Sequence, residues 1–184
     1  MKIVEKLYRR NRIYQGKSVN FSADTIKLPD GKTALREYLE HPGAVAVLPV
    51  LPDGKSAVFV RQYRYPVKSV TLEIPAGKID IRSGESPIKC VRRELEEETG
   101  YRASKITKLI SYWPTPAFGT EVLHIYLAGG LTRGNFNPDA DEFVRPCVIK
   151  ITDAIKMARD GTIRDSKTLI ALFYYALFIV GKKY

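Results

Sequence analysis

The chain of 184 residues is long enough for one compact domain with a short additional element, and its hydrophobic content of 45% is sufficient for a buried core. Its 30 Lys and Arg against 20 Asp and Glu give a formal net charge of +10, which favours anionic partners without identifying the anion. The two cysteines, Cys90 and Cys147, form no CxxC pair, which argues against a disulfide framework and a structural zinc site.

The N-terminal residues 1–42 are predicted to form an antiparallel β-unit. Strand-like stretches at residues 18–28 and 33–40 flank the sequence Pro-Asp-Gly-Lys at 29–32, whose composition is typical of a tight turn. A His-Pro-Gly sequence then marks the junction with the main domain, which we place at residues 43–184.

Strand-like stretches and helices follow one another in the main domain. The strand-like stretches lie at residues 43–50, 56–65, 70–74, 106–112 and 121–127. One helix is well marked, because Ser86 can cap its start, Pro87 suits the first helical position and Gly100 suits its end. A shorter helix is predicted at residues 152–159, and the mixture of elements predicts an α+β or layered α/β/α domain.

Neither end of the chain has the composition of a membrane-targeting segment. Residues 168–181 carry no charge, but they are fewer than the roughly 20 apolar residues that a membrane-spanning helix needs. We therefore predict a buried C-terminal helix, which begins at the cap Ser166 and ends at Gly181. A membrane or partner-binding helix is the less favoured alternative. Residues 1–11 lack the continuous apolar stretch of a secretion signal, so we expect a cytoplasmic protein with no membrane partner.

The marked helix carries a cluster of carboxylates. Glu94, Glu97 and Glu98 are spaced i, i+3 and i+4, so they share one helix face. The neighbouring stripe is apolar and consists of Ile88, Val91 and Leu95. Like charges at this spacing repel one another, and a hard divalent cation such as Mg²⁺ would relieve that repulsion. The alternative is a solvated acidic face.

Residues 77–101 resemble the Nudix box, which reads Gly, five residues, Glu, seven residues, Arg-Glu-apolar-x-Glu-Glu-x-Gly-apolar. Every fixed position from Glu85 to Tyr101 is matched, whereas seven residues rather than five separate Gly77 from Glu85. The extra length lies in a loop, where it is tolerated. The chain is thus identified as a member of the Nudix hydrolase superfamily, and the resemblance implies an α/β/α sandwich with a mixed β-sheet, preceded here by the N-terminal β-unit.

Within the superfamily the chain is most similar to the ADP-ribose pyrophosphatase branch. Stretches that carry this similarity are 41–47, 60–64, 73–77, 116–121, 139–143 and 163–168. Pro116 lies sixteen residues beyond Gly100, a spacing that marks ADP-ribose specificity in this family. The resemblance implies hydrolysis of a nucleoside diphosphate sugar, ADP-ribose first, to AMP and ribose 5-phosphate. Alternatives are GDP-mannose, NADH, FAD or capped RNA as substrate, or a non-catalytic RNA-binding Nudix domain, although nucleic acid is the less favoured partner.

The resemblance also implies roles for residues of the box. The expected ligands of Mg²⁺, with Mn²⁺ as the alternative, are the backbone carbonyl of Ala76 and the side chains of Glu94, Glu97 and Glu98. Glu97 and Arg93 are expected to serve catalysis, and Glu85 is expected to pair with Arg93. Gly77, Glu85 and Gly100 are expected to be structural.

A general base is expected on a later loop, because the attacking water must lose a proton. Asp139, Asp141 and Glu142 are the candidates there, and we choose Glu142.

Substrate contacts are expected from residues outside the box. Arg64 is the first choice, since a guanidinium can bond two phosphate oxygens at once, with a surface ion pair as its alternative. Arg36, Tyr14 and Pro116 are further candidates. Members of this branch usually form homodimers in which the N-terminal strands reach the partner's site, so the same is expected here.

Overall fold

The computed structural model describes residues 3–16, 19–140 and 142–181. In chain order the elements are β1 (Lys6–Arg9), β2 (Arg12–Gln15), β3 (Asn20–Lys27), β4 (Thr33–Glu40), β5 (Ala44–Pro49), β6 (Ser56–Arg64), β7 (Ser69–Glu73), β8 (Ala76–Lys78), α1 (Pro87–Thr99), β9 (Tyr101–Tyr112), β10 (Leu123–Arg133), β11 (Val144–Lys150), α2 (Ile151–Arg159) and α3 (Ser166–Tyr174). A π-helical turn, Tyr175–Val180, follows α3. The chain divides into two compact units, Met1–Gly43 with Trp113–Val122, and Ala44–Tyr112 with Leu123–Tyr184.

The first unit is an antiparallel sheet in which β3 pairs with β1, β2 and β4. The predicted hairpin is present as β3 and β4, although Ser18, where its first strand was predicted to start, lies outside the described residues. The turn between these strands contains Gly31 at a φ of +89°, a conformation that favours glycine.

The predicted boundary at residue 42 assigned 113–122 to the main domain, but this segment belongs to the first unit. The Leu39 N–H donates to the Phe118 carbonyl at 2.9 Å, and the Thr120 N–H donates to the Leu39 carbonyl at 3.0 Å. These bonds add the segment to the edge of β4. Local sequence signals do not reveal such a pairing between distant stretches.

The second unit contains two sheets and all three helices of the described residues. The four-stranded sheet has the order β8-β5-β10-β9, with β5 and β10 parallel and the other pairs antiparallel. The three-stranded sheet, β11-β6-β7, is antiparallel. The mixed α+β composition that the sequence predicts is therefore confirmed.

Strand β5 shows how the layers form. Side chains alternate between the two faces of a strand, and every residue of β5 is buried. Val45 and Val47 belong to the same core cluster as Leu95 of α1, whereas Ala46 belongs to the cluster that contains Leu172 of α3. Helices thus cover both faces of the sheet, and the architecture is the predicted α/β/α sandwich.

The C-terminal helix differs from its prediction in two respects. Its cap is Asp165 rather than Ser166, because the Asp165 carboxylate accepts the Thr168 N–H at 3.0 Å. Only one side of the helical segment is buried, and the exposed large apolar residues are Phe173, Leu177, Phe178 and Val180. The absence of charged residues from 168–181 did not make this helix fully buried, because apolar side chains also occupy protein surfaces. No helix in the described part of the chain is long and apolar enough to cross a membrane.

Candidate active site

Helix α1 supplies most of the candidate site, and its local signals act as predicted. Ser86 is the cap, its hydroxyl accepting the Lys89 N–H at 3.4 Å, and Pro87 is the first helical residue. Gly100 ends the helix in the left-handed conformation at a φ of 70°, with its N–H donating to the Glu96 carbonyl. Local signals thus determine both ends of the helix that carries the box residues.

The buried face of α1 differs in part from the prediction. Ile88 is exposed, and the buried apolar residues are Cys90, Val91 and Leu95. The sequence left a solvated acidic face open as the alternative, yet Glu94 and Glu98 are only 7% and 3% exposed. The periodicity located the shared face correctly but did not reveal that two acidic side chains lie inside the protein.

Burial and neighbouring charges strongly perturb these two carboxyl groups. Burial raises the pKa of Glu94 to about 7; Arg93 opposes the shift, and the charges of Glu97 and Glu142 add to it. Burial likewise raises the pKa of Glu98 to about 8; the Ala76 N–H opposes the shift, and the charges of Glu94 and Glu142 add to it. Two buried acids that repel each other in this way would be stabilised by a nearby cation.

Arg93 connects the carboxylates of the box. Its Nε lies 2.9 Å from Oε1 of Glu85, so the predicted pair is present in the structure. A terminal nitrogen lies 2.7 Å from Oε1 of Glu94 and 2.8 Å from Oε2 of Glu97. Arg93 thus contacts three carboxylates and holds the loop that carries Glu85 against the helix.

Strand β8 lies beside the same carboxylates. The Ala76 N–H donates to Oε2 of Glu98 at 3.0 Å. A Cβ at Gly77 would lie 1.8 Å from Oε1 of Glu94, so any side chain at this position would occupy the space of that carboxylate. The structure therefore gives a steric reason for the first glycine of the box.

The two additional residues before Glu85 are accommodated in a closed turn. The Asp80 N–H donates to Oε2 of Glu85 at 3.1 Å, and the Glu85 N–H donates to the Asp80 carbonyl at 3.1 Å. Gly84, within the turn, has a φ of 69°. These bonds join the ends of the loop, so Glu85 still reaches Arg93 despite the longer spacing.

The loop after β10 carries the candidate base. Glu142 lies close enough to Glu94 and Glu98 for its charge to raise the pKa of both. Its N–H donates to the Asp139 carbonyl at 2.9 Å, while Asp141 lies outside the described residues. The electrostatic coupling supports the choice of Glu142, and its role stays a prediction.

Helix α1 anchors the start of that loop. The Asn135 N–H donates to Oε1 of Glu96 at 3.1 Å, and the Asn137 N–H donates to the Glu97 carbonyl at 3.2 Å. Arg102 also bonds Glu96, at 2.8 Å. Glu96 was not a predicted site residue, because it is not a fixed position of the box.

The first-choice substrate contact, Arg64, bonds Glu73. Its Nε and one terminal nitrogen lie 2.8 and 2.7 Å from the two carboxylate oxygens, and its side chain stays 42% exposed. Lys167 approaches the same carboxylate from α3. Glu73 and Lys167 were not among the predicted site residues, although both lie in stretches that carry the resemblance to the ADP-ribose branch.

The remaining candidates belong to the first unit, whereas the carboxylates belong to the second. Arg36 bonds Glu5 through its Nε at 3.0 Å, and Tyr14 is exposed. Pro116 lines a shallow depression of about 320 Å³ together with Trp113, Gly119 and Thr120. Their contacts with a substrate stay predictions.

The predicted metal ligands already have partners within the protein. Within residues 3–16, 19–140 and 142–181, no three His, Cys, Asp or Glu side chains are already arranged around a common metal position. Glu94 and Glu97 bond Arg93, and Glu98 bonds the Ala76 N–H. The donor chemistry nevertheless fits a hard divalent cation, because buried like-charged carboxylates adjoin the peptide of Ala76.

The layered α/β/α domain, with a carboxylate-bearing helix against a glycine-containing strand, is the arrangement expected of a Nudix-type protein. The sequence matches the NUDIX domain family over residues 40–172, and the chain belongs to the Nudix family. It is 39% identical to the ADP-ribose pyrophosphatase of Bacillus subtilis (strain 168) over 175 residues, covering 94% of this chain and 93% of that one.

Two further relatives carry other names. The chain is 40% identical to the methanol dehydrogenase activator of Bacillus methanolicus, covering 94% of this chain and 93% of that one. It is 33% identical to the GDP-mannose pyrophosphatase of Yersinia enterocolitica over 72% of both chains. A solved structure described as an ADP compounds hydrolase superposes with a TM-score of 0.83, at 20% identity, over 97% of this chain and 95% of that one. This last similarity supports the fold.

Proposed function

We propose that the protein hydrolyses the diphosphate of a nucleoside diphosphate sugar, with ADP-ribose as substrate and AMP and ribose 5-phosphate as products. The observation that carries the proposal is the buried pair of Glu94 and Glu98, whose pKa values are raised beside β8. The near full-length similarity to an ADP-ribose pyrophosphatase supports the substrate.

Mg²⁺ is the proposed cofactor, and Mn²⁺ is the alternative. The side chains of Glu94, Glu97 and Glu98 and the carbonyl of Ala76 would hold it. When bound, such a cation neutralises phosphate charge and lowers the pKa of water. Arg93 contributes by keeping the carboxylates of α1 and the Glu85 loop in place.

The remaining steps belong to side chains of this chain. Glu142 accepts the proton of the attacking water at its carboxylate, a role supported by its electrostatic coupling to Glu94 and Glu98. Arg64 binds the diphosphate with the part of its guanidinium that does not face Glu73, which its 42% exposure permits.

A homodimer is part of the proposal. The first unit exposes several large apolar side chains, including Ile3, Val4, Leu7, Ile13 and Leu35, which a partner subunit would cover. Tyr14 and Arg36 would then contact the nucleoside. Sedimentation velocity at micromolar concentration should show the mass of two chains, and a single chain mass would contradict the dimer.

A cytoplasmic location belongs to the same proposal. Cys90 and Cys147 are both free thiols in the structure, as is usual in a reducing compartment.

The substrate is tested with a panel of ADP-ribose, GDP-mannose, NADH and FAD, each with Mg²⁺, ranked by kcat/KM. The proposal predicts the highest kcat/KM for ADP-ribose, with AMP and ribose 5-phosphate in equal amounts. A higher kcat/KM for GDP-mannose would instead support the activity for which the Yersinia relative is named. Absence of hydrolysis, with RNA binding that weakens steeply with salt, would instead support a binding module.

A further inference from the structure

A buried group of charges links α3 to strand β7. Glu73 is 2% exposed and Lys167 is 7% exposed. The two oxygens of Glu73 accept hydrogen bonds from Arg64 at 2.8 and 2.7 Å, from Thr71 at 2.5 Å and from the Lys167 ammonium group. The buried Glu73 carboxylate is therefore shared by two cations, Arg64 and Lys167, which lie far apart in the sequence.

The same group continues to the backbone before β8. Lys167 donates to Oδ1 of Asp165 at 2.8 Å, and Oδ2 of Asp165 accepts the Thr168 hydroxyl at 2.6 Å. The oxygen of that hydroxyl accepts the Ile74 N–H at 2.9 Å. The first turn of α3 is thus bonded to the chain two residues before Ala76, whose N–H bonds Glu98.

The charges of the group are balanced. Arg64 and Lys167 are its cations, and Glu73 and Asp165 are its anions. Because Lys167 neutralises part of the charge of Glu73, Arg64 is not the sole counter-ion of that carboxylate. Arg64 can then bond an anion on its exposed edge without leaving a buried carboxylate unpaired.

We propose that Lys167 is a positioning residue for the reaction. It fixes the Glu73 carboxylate so that Arg64 presents its exposed edge to the substrate, and with Asp165 and Thr168 it holds the backbone that leads to Ala76. The inference rests on the proposed function and assigns a role to the 163–168 stretch, which the proposed mechanism does not otherwise use.

The test uses a double variant that keeps the charge balance. Lys167→Met with Asp165→Asn removes one cation and one anion, and Asn still caps α3. The matched control is Lys156→Met with Asp153→Asn, which removes the exposed ion pair of α2. Thermal unfolding establishes that each variant is folded, and Lys167→Arg tests rescue by a conservative change.

We expect the double variant to lower kcat/KM for ADP-ribose by about 10- to 100-fold, with KM raised because Arg64 is displaced. The control should stay within about twofold of the unmodified protein. Lys167→Arg should recover part of the loss. A folded double variant with unchanged kcat and KM would overturn the inference.

A second measurement does not depend on activity. The Nε–H signal of Arg64 in a ¹⁵N NMR spectrum, assigned by its loss in Arg64→Lys, reports the bond to Glu73. We expect it to shift or broaden when Lys167 and Asp165 are replaced, and an unchanged signal would contradict the positioning role. If the unmodified protein hydrolysed no substrate of the panel, the proposed function would fail, and the NMR result would still decide how Arg64 is held.

Discussion

Replacement of Gly77 by Ala should separate activity from stability. The new Cβ would lie 1.8 Å from Oε1 and 2.0 Å from Cδ of Glu94, whereas non-bonded carbon atoms settle at about 3.5 Å or more. The carboxylate must therefore withdraw by about 1.5 Å. Since a misplacement of about 1 Å in an active site can cost a factor of about 100, we expect kcat to fall by about 100-fold or more.

The fold should tolerate the same change. Gly77 does not adopt the left-handed backbone conformation, and the atoms in the way belong to the end of a flexible side chain. We expect the free energy of unfolding to change by no more than about 1 kcal/mol, measured by urea denaturation. Gly129→Ala is the matched control, because its Cβ would meet nothing within 4 Å. A Gly77→Ala protein with unaltered kcat would refute the assignment of Glu94.

Three further predictions concern other parts of the second unit. Leu95→Ala should lower the free energy of unfolding by about 3 kcal/mol in urea denaturation, because Leu95 is fully buried; a loss below about 1 kcal/mol would contradict its core position. Glu96→Ala should speed amide exchange at Asn135 while the exchange of β5 stays unchanged, since Glu96 accepts that N–H. Burial opposes ionisation of Glu73, but Arg64 and Lys167 outweigh it and lower its pKa from 4.5 to about 2. Ionised Glu73 thus stabilises the fold above about pH 4.5, by about 3 kcal/mol, and this contribution is lost as the pH falls toward 2. Between pH 5 and 3, the free energy of unfolding measured by urea denaturation should fall less for Glu73→Gln than for the unmodified protein. Equal falls in the two proteins would refute the ion pairs of Glu73.

Features set by neighbouring residues were predictable from the sequence. Ser86, Pro87 and Gly100 define α1 through local hydrogen bonds and backbone preferences, and the structure has the helix at those bounds. The Glu85–Arg93 pair followed from the resemblance to the family pattern, and a closed turn absorbs the longer loop.

Features that depend on distant residues were not predictable in this way. The bond between Glu73 and Lys167 joins positions 94 residues apart, and no local pattern connects them. The same limit explains why Arg64 was predicted to contact the substrate, whereas its partner Glu73 was not predicted. The cap of α3 was misplaced for a local reason, because Asp165 and Ser166 are both good capping residues and the choice depends on backbone geometry.

The burial of Glu94 and Glu98 was also missed, and it is central to the chemistry. Helical spacing shows which side chains share a face, but the packing of the surrounding elements decides whether that face is solvated. Acidic side chains are almost never fully buried, and here two of them lie side by side with Arg93 and the Ala76 N–H as their partners. Their position inside the protein is the observation that distinguishes a site from a solvated surface.

The most direct test of this account compares ADP-ribose hydrolysis by the unmodified protein and by Glu98→Gln with Mg²⁺ present. Gln retains an oxygen that can accept the Ala76 N–H and removes a charge that burial disfavours, so the variant should be as stable as the unmodified protein. We predict that kcat falls by about 100-fold or more, because the buried carboxylate is lost as a ligand. A folded Glu98→Gln protein that releases AMP at the unmodified rate would contradict it.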